Sequence, residues 1–350
     1  MTYLLFFAGA FVFGFLINKV MLGFAHTLGI RKNYQDIIRW SDTTKPSLGG
    51  IGFFIVFLLS IAAVPIFESN VENIYSIKHI ALIFGASLSF LMGLADDAYN
   101  TRPLLKFITQ VICGLVLLYS GIKIHLFDNE FLNGFLTIFW VVAMMNSLNM
   151  LDNMDAITTL TSISVTAFMI FSYLQQTVSD AFILVILVGI LASLLAFLPF
   201  NWHPSKMYMG DTGSQFLGFI LSALSILLVW NNNLNFAYEN SLTGLILTVT
   251  VFTVPIVDTT MVSVTRIARG SSPFVGGKDH TTHRLSYLNF SDRQVALIVV
   301  MIQLLAVLIA GYALVSQTTF ALALSGGYFL VILTLFSIIT RKTKPLVANE

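Results

Sequence analysis

The sequence predicts an all-α, polytopic integral membrane protein forming a single domain over residues 1–350, and three observations predict it. Hydrophobic residues make up 57% of the chain and charged residues only 10%, with a mean hydropathy of +0.86. Apolar runs of bilayer-crossing length, roughly 20 residues each, recur from one end to the other. Lysine and arginine fall almost entirely into alternate connections between those runs. Such a composition excludes an ordinary soluble globular domain, while a net charge of +1 leaves the partners open.

Taken in order, the candidate spans are 3–22, 48–66, 79–95, 104–120, 134–150, 157–174, 181–199, 213–230, 243–262, 294–315 and 320–340, eleven in all. The first lacks a basic leading segment and a small-residue cleavage site, and reads as a retained helix rather than a signal peptide. The third closes on Asp96-Asp97, and Pro103 stands where it suits the first turn of the fourth. The fifth runs out through Asn146, Asn149 and Asp152, and the eighth follows Met209-Gly210-Asp211-Thr212-Gly213-Ser214. The ninth holds Val254-Pro255-Ile256-Val257-Asp258, whose acid either lies deep in the bilayer or marks the end of a Pro-kinked helix. Cys113 is the only cysteine and lies in an apolar run, so neither a disulfide nor a thiolate metal site is available.

With eleven spans the termini lie on opposite sides. Sixteen of the 18 Lys and Arg residues, among them Arg31, Lys32, Arg39, Lys45, Arg102, Lys106, Lys206 and Arg284, fall on one side; only Lys78 and Lys123 fall on the other. The positive-inside rule puts the richer side and the C-terminus in the cytoplasm, and the N-terminus outside. The same assignment turns Asp96, Asp97, Asp152, Asp155, Asp211 and Asp279 toward the cytoplasm, although bases alone made it.

A carboxylate is costly in hydrocarbon, so acids gathered at helix ends on one rim mark a site. Several of them together suggest a divalent cation and a phosphorylated ligand. Lys106, one turn into its helix, can snorkel back toward Asp96 and Asp97 and meet a phosphate there, or else the three charges merely solvate a helix end. Asn146, Asn149, Asp152 and Asp155 recur every third residue and predict one polar strip at a helix end. That strip suits a polar ligand or a metal, or else a polar contact between helices. Gly210 and Gly213 permit close backbone approach, and the free N–H groups of the following helix favour an anion. Asp211 either holds a cation there or caps the helix. The loop from Arg266 to Arg284 offers bases to diphosphate oxygens or to anionic headgroups; His280 and His283 are too few for zinc.

These motifs, in this order from Lys45-Pro46-Ser47-Leu48-Gly49-Gly50 to Arg284, resemble the polyprenyl-phosphate N-acetylhexosamine-1-phosphate transferases (the MraY/WecA-type superfamily). The resemblance implies ten or eleven helices and transfer of a sugar 1-phosphate from a UDP-amino sugar to undecaprenyl phosphate, with release of UMP, at the cytoplasmic face of the bacterial inner membrane. It implies Asp96, Asp97 and Asp211 at the catalytic centre, with Asp211 and Asp96 on Mg2+ (Mn2+ as a substitute) and Asp97 near the attacking lipid phosphate. Lys106 would contact phosphate, and Asn146, Asn149, Asp152 and Asp155 would line the nucleotide-sugar pocket. Tyr208, where relatives often carry Phe, would stack on uracil, and His280, His283 and Arg284 would contact sugar or diphosphate. The implied partners are the UDP-sugar, undecaprenyl phosphate and membrane lipid, with no nucleic acid; a homodimer is compatible with the family.

Two departures stand out. The usual Asp-Gly-x-Asp-Gly is here Asp152-Asn153-Met154-Asp155-Ala156, with both glycines replaced. The triple histidine of the branch using UDP-MurNAc-pentapeptide is absent, and Gly277-Lys278-Asp279-His280-Thr281-Thr282-His283-Arg284 resembles the branch using simpler UDP-N-acetylhexosamines, which favours a UDP-GlcNAc-like donor. The expected reaction is direct attack of a lipid phosphate oxygen on the β-phosphorus, with Asp97 positioning or deprotonating the acceptor; a two-step path through an aspartyl-phosphate stays open. The competing class is a secondary transporter, which predicts acids near the midplane on broken helices of related halves. A membrane scaffold without chemistry must treat every motif as incidental.

Overall fold

The computed structural model describes the chain except residues 29–44, 69–74, 177–179, 232–241, 273–276 and 348–350, so Arg31, Lys32 and Arg39 lie outside the described residues. The helices are α1 (Thr2–Leu28), α2 (Gly49–Ala63), α3 (Ile77–Tyr99), α4 (Pro103–Tyr119), α5 (Glu130–Leu151), α6 (Ile157–Gln175), α7 (Ala181–Asn201), α8 (Gly210–Ser225), α9 (Leu242–Val251), α10 (Thr253–Ala268), α11 (Thr281–Tyr287), α12 (Asp292–Ser316) and α13 (Thr319–Val347). Among the described residues nine helices are long and apolar enough to cross a bilayer, ten if α9 and α10 form one bent span. The chain is a polytopic membrane protein. Of the eleven expected spans, the fourth becomes α4, which starts at Pro103 and has only 17 residues.

Helix α8 forms the axis of the bundle: every side chain from Thr212 to Ser225 is buried. It packs chiefly against α3 and α5, with α2 on a further side. The peripheral helices turn apolar side chains outward, for example Leu4 and Leu16 on α1, Leu104 on α4, Leu308 on α12 and Leu330 on α13. In water such a surface would be a liability; in lipid it is the expected exterior, because every backbone polar group is satisfied inside a helix.

The ninth span, expected as one helix over 243–262, is instead two helices meeting at 83° across Phe252. The cause is local. Pro255 has no N–H to give to the carbonyl of Val251, so the helical ladder opens there. Gln303 on α12, fully buried, closes the gap: its Nε2 donates to the Val251 carbonyl at 2.7 Å and its Oε1 accepts the Val254 N–H at 3.4 Å.

The predicted polar strip over 146–155 also needs correction. Helix α5 stops at Leu151, leaving Asp152 as its C-cap and Asp155 in a turn. Ala156 then takes a left-handed conformation, φ 64°, before α6 begins. Only Asn146 and Asn149 lie on the helix itself.

Candidate active site at converging helix ends

The C-terminal ends of α3 and α5 meet the N-terminal ends of α4 and α8, and their polar residues close on one another. Asp97, from α3, accepts the Asp211 N–H at 3.1 Å on Oδ1, and on Oδ2 the Thr212 N–H at 2.9 Å and the Thr212 hydroxyl at 2.6 Å. A carboxylate of one helix thus caps the positive end of another. Gly210 holds φ +72°, and a Cβ there would come within 2.6 Å of Asp97 Oδ2. At Gly93 a Cβ would fall on the carbonyl of Asp211, so its absence lets α3 touch the start of α8.

Held this way, Asp211 turns its side chain toward α4 and α5. Its Oδ2 accepts from Lys106 Nζ at 2.6 Å, and its Oδ1 from Asn149 Nδ2 at 2.9 Å. Lys106 also pairs with Asp96 Oδ2, so one ammonium lies between the two carboxylates expected to hold a metal. The other oxygen of Asp96 accepts the backbone N–H and hydroxyl of Thr101 at 2.8 and 2.6 Å. Asn149 further reaches the Ser214 hydroxyl at 3.0 Å.

Asp152 stands beside this group without a hydrogen bond of its own among the described residues. Part of its surface is open, yet burial, followed by the negative charges of Asp211, Asp97 and Asp155, pushes its carboxyl up to about 8. Carboxylates that face one another repel, which favours a cation between them. No group of three or more acidic, histidine or cysteine side chains among the described residues forms a ready-made metal cage. Mg2+ needs no such cage, since it typically takes one or two carboxylates together with substrate phosphates and water. Asp211, Asp96 and Asp152 fit that requirement.

The other expected site residues are placed differently. Asn146 lies one layer deeper, its Nδ2 on Gln110 Oε1 at 2.7 Å, and Gln110 in turn donates to Gln215 at 3.1 Å. These amides sit one helical turn below Asn149, Lys106 and Asp211 respectively, and tie α4, α5 and α8 together. Asp155 points away into the 203–208 loop, accepting from Ser205 N–H at 3.0 Å, Ser205 hydroxyl at 2.7 Å and His203 Nδ1 at 3.1 Å. Burial opposes ionisation of Asp155, but those donors and Lys45 at 3.7 Å hold it below the usual carboxylate range. Tyr208 carries the Lys45 ammonium over its ring, 5.1 Å from the centroid, and its backbone pairs with Pro46 and Gly49.

Arg284 turns inward and is 0% exposed: Nε donates to the Asp279 carbonyl at 3.1 Å, and Nη1 to the Thr340 carbonyl and Thr343 hydroxyl of α13 at 3.2 and 3.0 Å. His280 and His283 stack edge-on with centroids 5.4 Å apart. Sequence reasoning passed over Thr282, whose hydroxyl donates to Asn153 Oδ1 at 2.7 Å and docks this loop on the turn bearing Asp152. Thr101, Thr212 and Gln110 were also missed; being neutral residues of helix starts and interiors, they carry no signal by themselves.

Carboxylates, amides and one lysine gather where helix ends meet at the edge of an apolar, membrane-spanning bundle. The model of glycosyl transferase family 4 matches residues 79–229, a stretch that runs from α3 through the Asp211 motif. The chain is 28% identical over 270 residues to the "probable undecaprenyl-phosphate N-acetylglucosaminyl 1-phosphate transferase" of Bacillus subtilis strain 168, covering 75% of this chain and 71% of that protein. It is also 28% identical over 280 residues to the decaprenyl-phosphate N-acetylglucosaminephosphotransferase of Mycobacterium leprae, covering 73% and 70%. Identity is 31% over 226 residues with the phospho-N-acetylmuramoyl-pentapeptide-transferase of Streptococcus agalactiae serotype Ia, covering 57% and 65%. Nothing in these relationships supports a transporter.

Proposed function

We propose that this protein transfers N-acetylglucosamine 1-phosphate from UDP-GlcNAc to undecaprenyl phosphate at the cytoplasmic face of a bacterial inner membrane, releasing UMP. This is the first lipid-linked step of an envelope polysaccharide. The observation that carries the reading is the closure of Asp96, Lys106, Asn149 and Asp211 on one another, beside an Asp152 that has no side-chain hydrogen bond among the described residues. A carboxylate-rich cluster with Lys106 at its centre suits a diphosphate and a phosphate monoester brought together by a cation. The relatives' names supply the sugar and the lipid.

In the proposed reaction an oxygen of the lipid phosphate attacks the β-phosphorus of the UDP-sugar. The bond from that phosphorus to the bridging oxygen breaks, and UMP leaves with that oxygen. A phosphate monoester, with its second pKa near 6, is already largely dianionic at neutral pH and needs little help from a base. Asp211, Asp96 and Asp152 would hold Mg2+, which supplies positive charge against the diphosphate and the departing UMP. Lys106, released from its carboxylate partners, would meet a phosphate oxygen. Asn149 orients Asp211, and Asp97 fixes the backbone on which Asp211 stands rather than meeting the acceptor. Asp155, Tyr208 and Lys45 would border the nucleotide, and His280 the diphosphate.

The test is UMP release by the purified protein given Mg2+, undecaprenyl phosphate and UDP-GlcNAc, beside Asp211→Asn. Metal- and lipid-dependent UMP, reduced at least about 100-fold in the variant, is the expected result. UMP release that persists without lipid or in Asp211→Asn contradicts it.

A further inference from the structure

The chamber leaves one fully buried charge without a task. Asp258 lies on α10, past the break at Phe252, and is 0% exposed. Its carboxylate takes three hydrogen bonds: from His280 Nδ1 at 2.9 Å, the Thr281 N–H at 2.7 Å and the Thr281 hydroxyl at 2.6 Å. Two of them fix the backbone where α11 begins; the third fixes a ring. Nε2 of His280 has no hydrogen-bond partner among the described residues.

Both halves of this pair are fastened to the chamber. Thr259, next to Asp258, donates to the Ser147 hydroxyl at 2.9 Å, two residues before Asn149 on α5. Thr282, two residues after His280, donates to Asn153, the neighbour of Asp152. The imidazole is therefore held from α10 by Asp258, and its loop is tied through Thr282 to the turn that bears Asp152.

We propose that Asp258 is a positioning residue: it fixes the plane and proton placement of His280 so that Nε2 is presented to the diphosphate of the donor. A carboxylate on one ring nitrogen settles which nitrogen carries the proton and how the ring stands. An imidazole held between that carboxylate and a phosphate oxygen donates from both nitrogens. A purely structural staple would need only the two bonds to Thr281. The donor's identity as a UDP-sugar rests on the function proposed above.

The experiment uses the full chain in detergent with 15N-labelled histidine, UDP-GlcNAc as the probe, and His280→Gln to assign the ring signals. In the wild type, UDP-GlcNAc is expected to shift Nε2 of His280, while Nδ1 keeps the signature of a proton bonded to a carboxylate. Asp258→Asn should change the Nδ1 signal and abolish the ligand-induced shift. In turnover, Asp258→Asn and His280→Gln should each lower kcat/KM by about 10–100-fold, and the double variant should be no worse than either alone. Thr281→Val removes one staple bond and should lower Tm while leaving kcat/KM within about 2-fold. Asp258→Glu keeps the charge if the Asn variant does not fold, and should retain the Nδ1 signature. Unchanged His280 signals in Asp258→Asn, or losses that multiply in the double variant, overturn the proposal. Absence of UMP from the wild type sinks the transferase reading instead, and the UDP-GlcNAc titration still decides whether Asp258 controls His280.

Discussion

At residue scale, Ala156 stands where the family pattern carries glycine, in a left-handed conformation, φ 64°. A side chain there typically costs about 1–2 kcal/mol, partly offset by the extra freedom glycine brings to the unfolded chain. Ala156→Gly should therefore stabilise the protein by roughly 0.5–1 kcal/mol, read as a higher Tm in detergent; a lower Tm contradicts the reading. His283 makes a prediction about pH. Burial, followed by the charge of His280, holds its pKa down to about 3, against about 6.5 in an unfolded chain. Between those values the unfolded state binds a proton that the folded state refuses, so stability is lost as pH falls. From pH 7 to pH 5 this one group should cost the wild type about 2 kcal/mol. His283→Gln should show a correspondingly smaller drop in Tm over that interval; equal drops would show that His283 takes up its proton in the folded state. Residue type and spacing made Asp96, Lys106 and Asp211 legible as a group, because a lysine one turn into a helix can reach only so far. They did not reveal which way Arg284 or Asp155 points, since a seven-residue helix and a turn carry too little periodicity to aim a side chain.

At the scale of elements, two clasps matter. The α9–α10 bend rests on Gln303 bridging Val251 and Val254. The α11 segment is fastened to α13 through Arg284 and to α10 through Asp279, whose carboxylate pairs with Arg266 at 2.6 and 3.1 Å. Burial resists the charge of Asp279, but Arg266 holds its pKa below the usual range. Arg284→Gln removes a buried, charge-assisted clasp and should cost about 1.5–3 kcal/mol, seen as a lower Tm and faster proteolysis near residue 284. Unchanged Tm would mean that α13 does not hold α11. The Pro255 kink was visible in the sequence as an alternative to a straight span, because proline removes a known bond. Gln303, its partner from another helix, was not, since a lone glutamine in an apolar run gives no hint of its contact. The polar strip failed for a related reason: a three-residue period continues in the sequence after the helix has ended.

For the whole molecule, the hydropathy pattern was enough to predict the class, and among the described residues ten of the eleven expected runs appear at spanning length once the bent pair is counted as one. The short α4 shows why: its start is fixed by Pro103 and by the need to bring Lys106 to Asp211. The arrangement predicts that Mg2+ or Mn2+ raises the Tm of the wild type and much less that of Asp211→Asn or Asp152→Asn. Asp152→Asn should also be the more stable of the pair without metal, because it relieves repulsion among carboxylates. Equal metal-induced shifts in all three proteins would remove these acids from the metal site.

The most direct measurement follows the β-phosphate. UDP-GlcNAc carrying 32P at that position would be incubated with the protein, Mg2+ and undecaprenyl phosphate, and the label partitioned between organic and aqueous phases. The account predicts label in the lipid, in amounts equal to the UMP released. Label that stays in the aqueous phase as UDP while the sugar moves, or that moves nowhere, would contradict transfer of a sugar 1-phosphate.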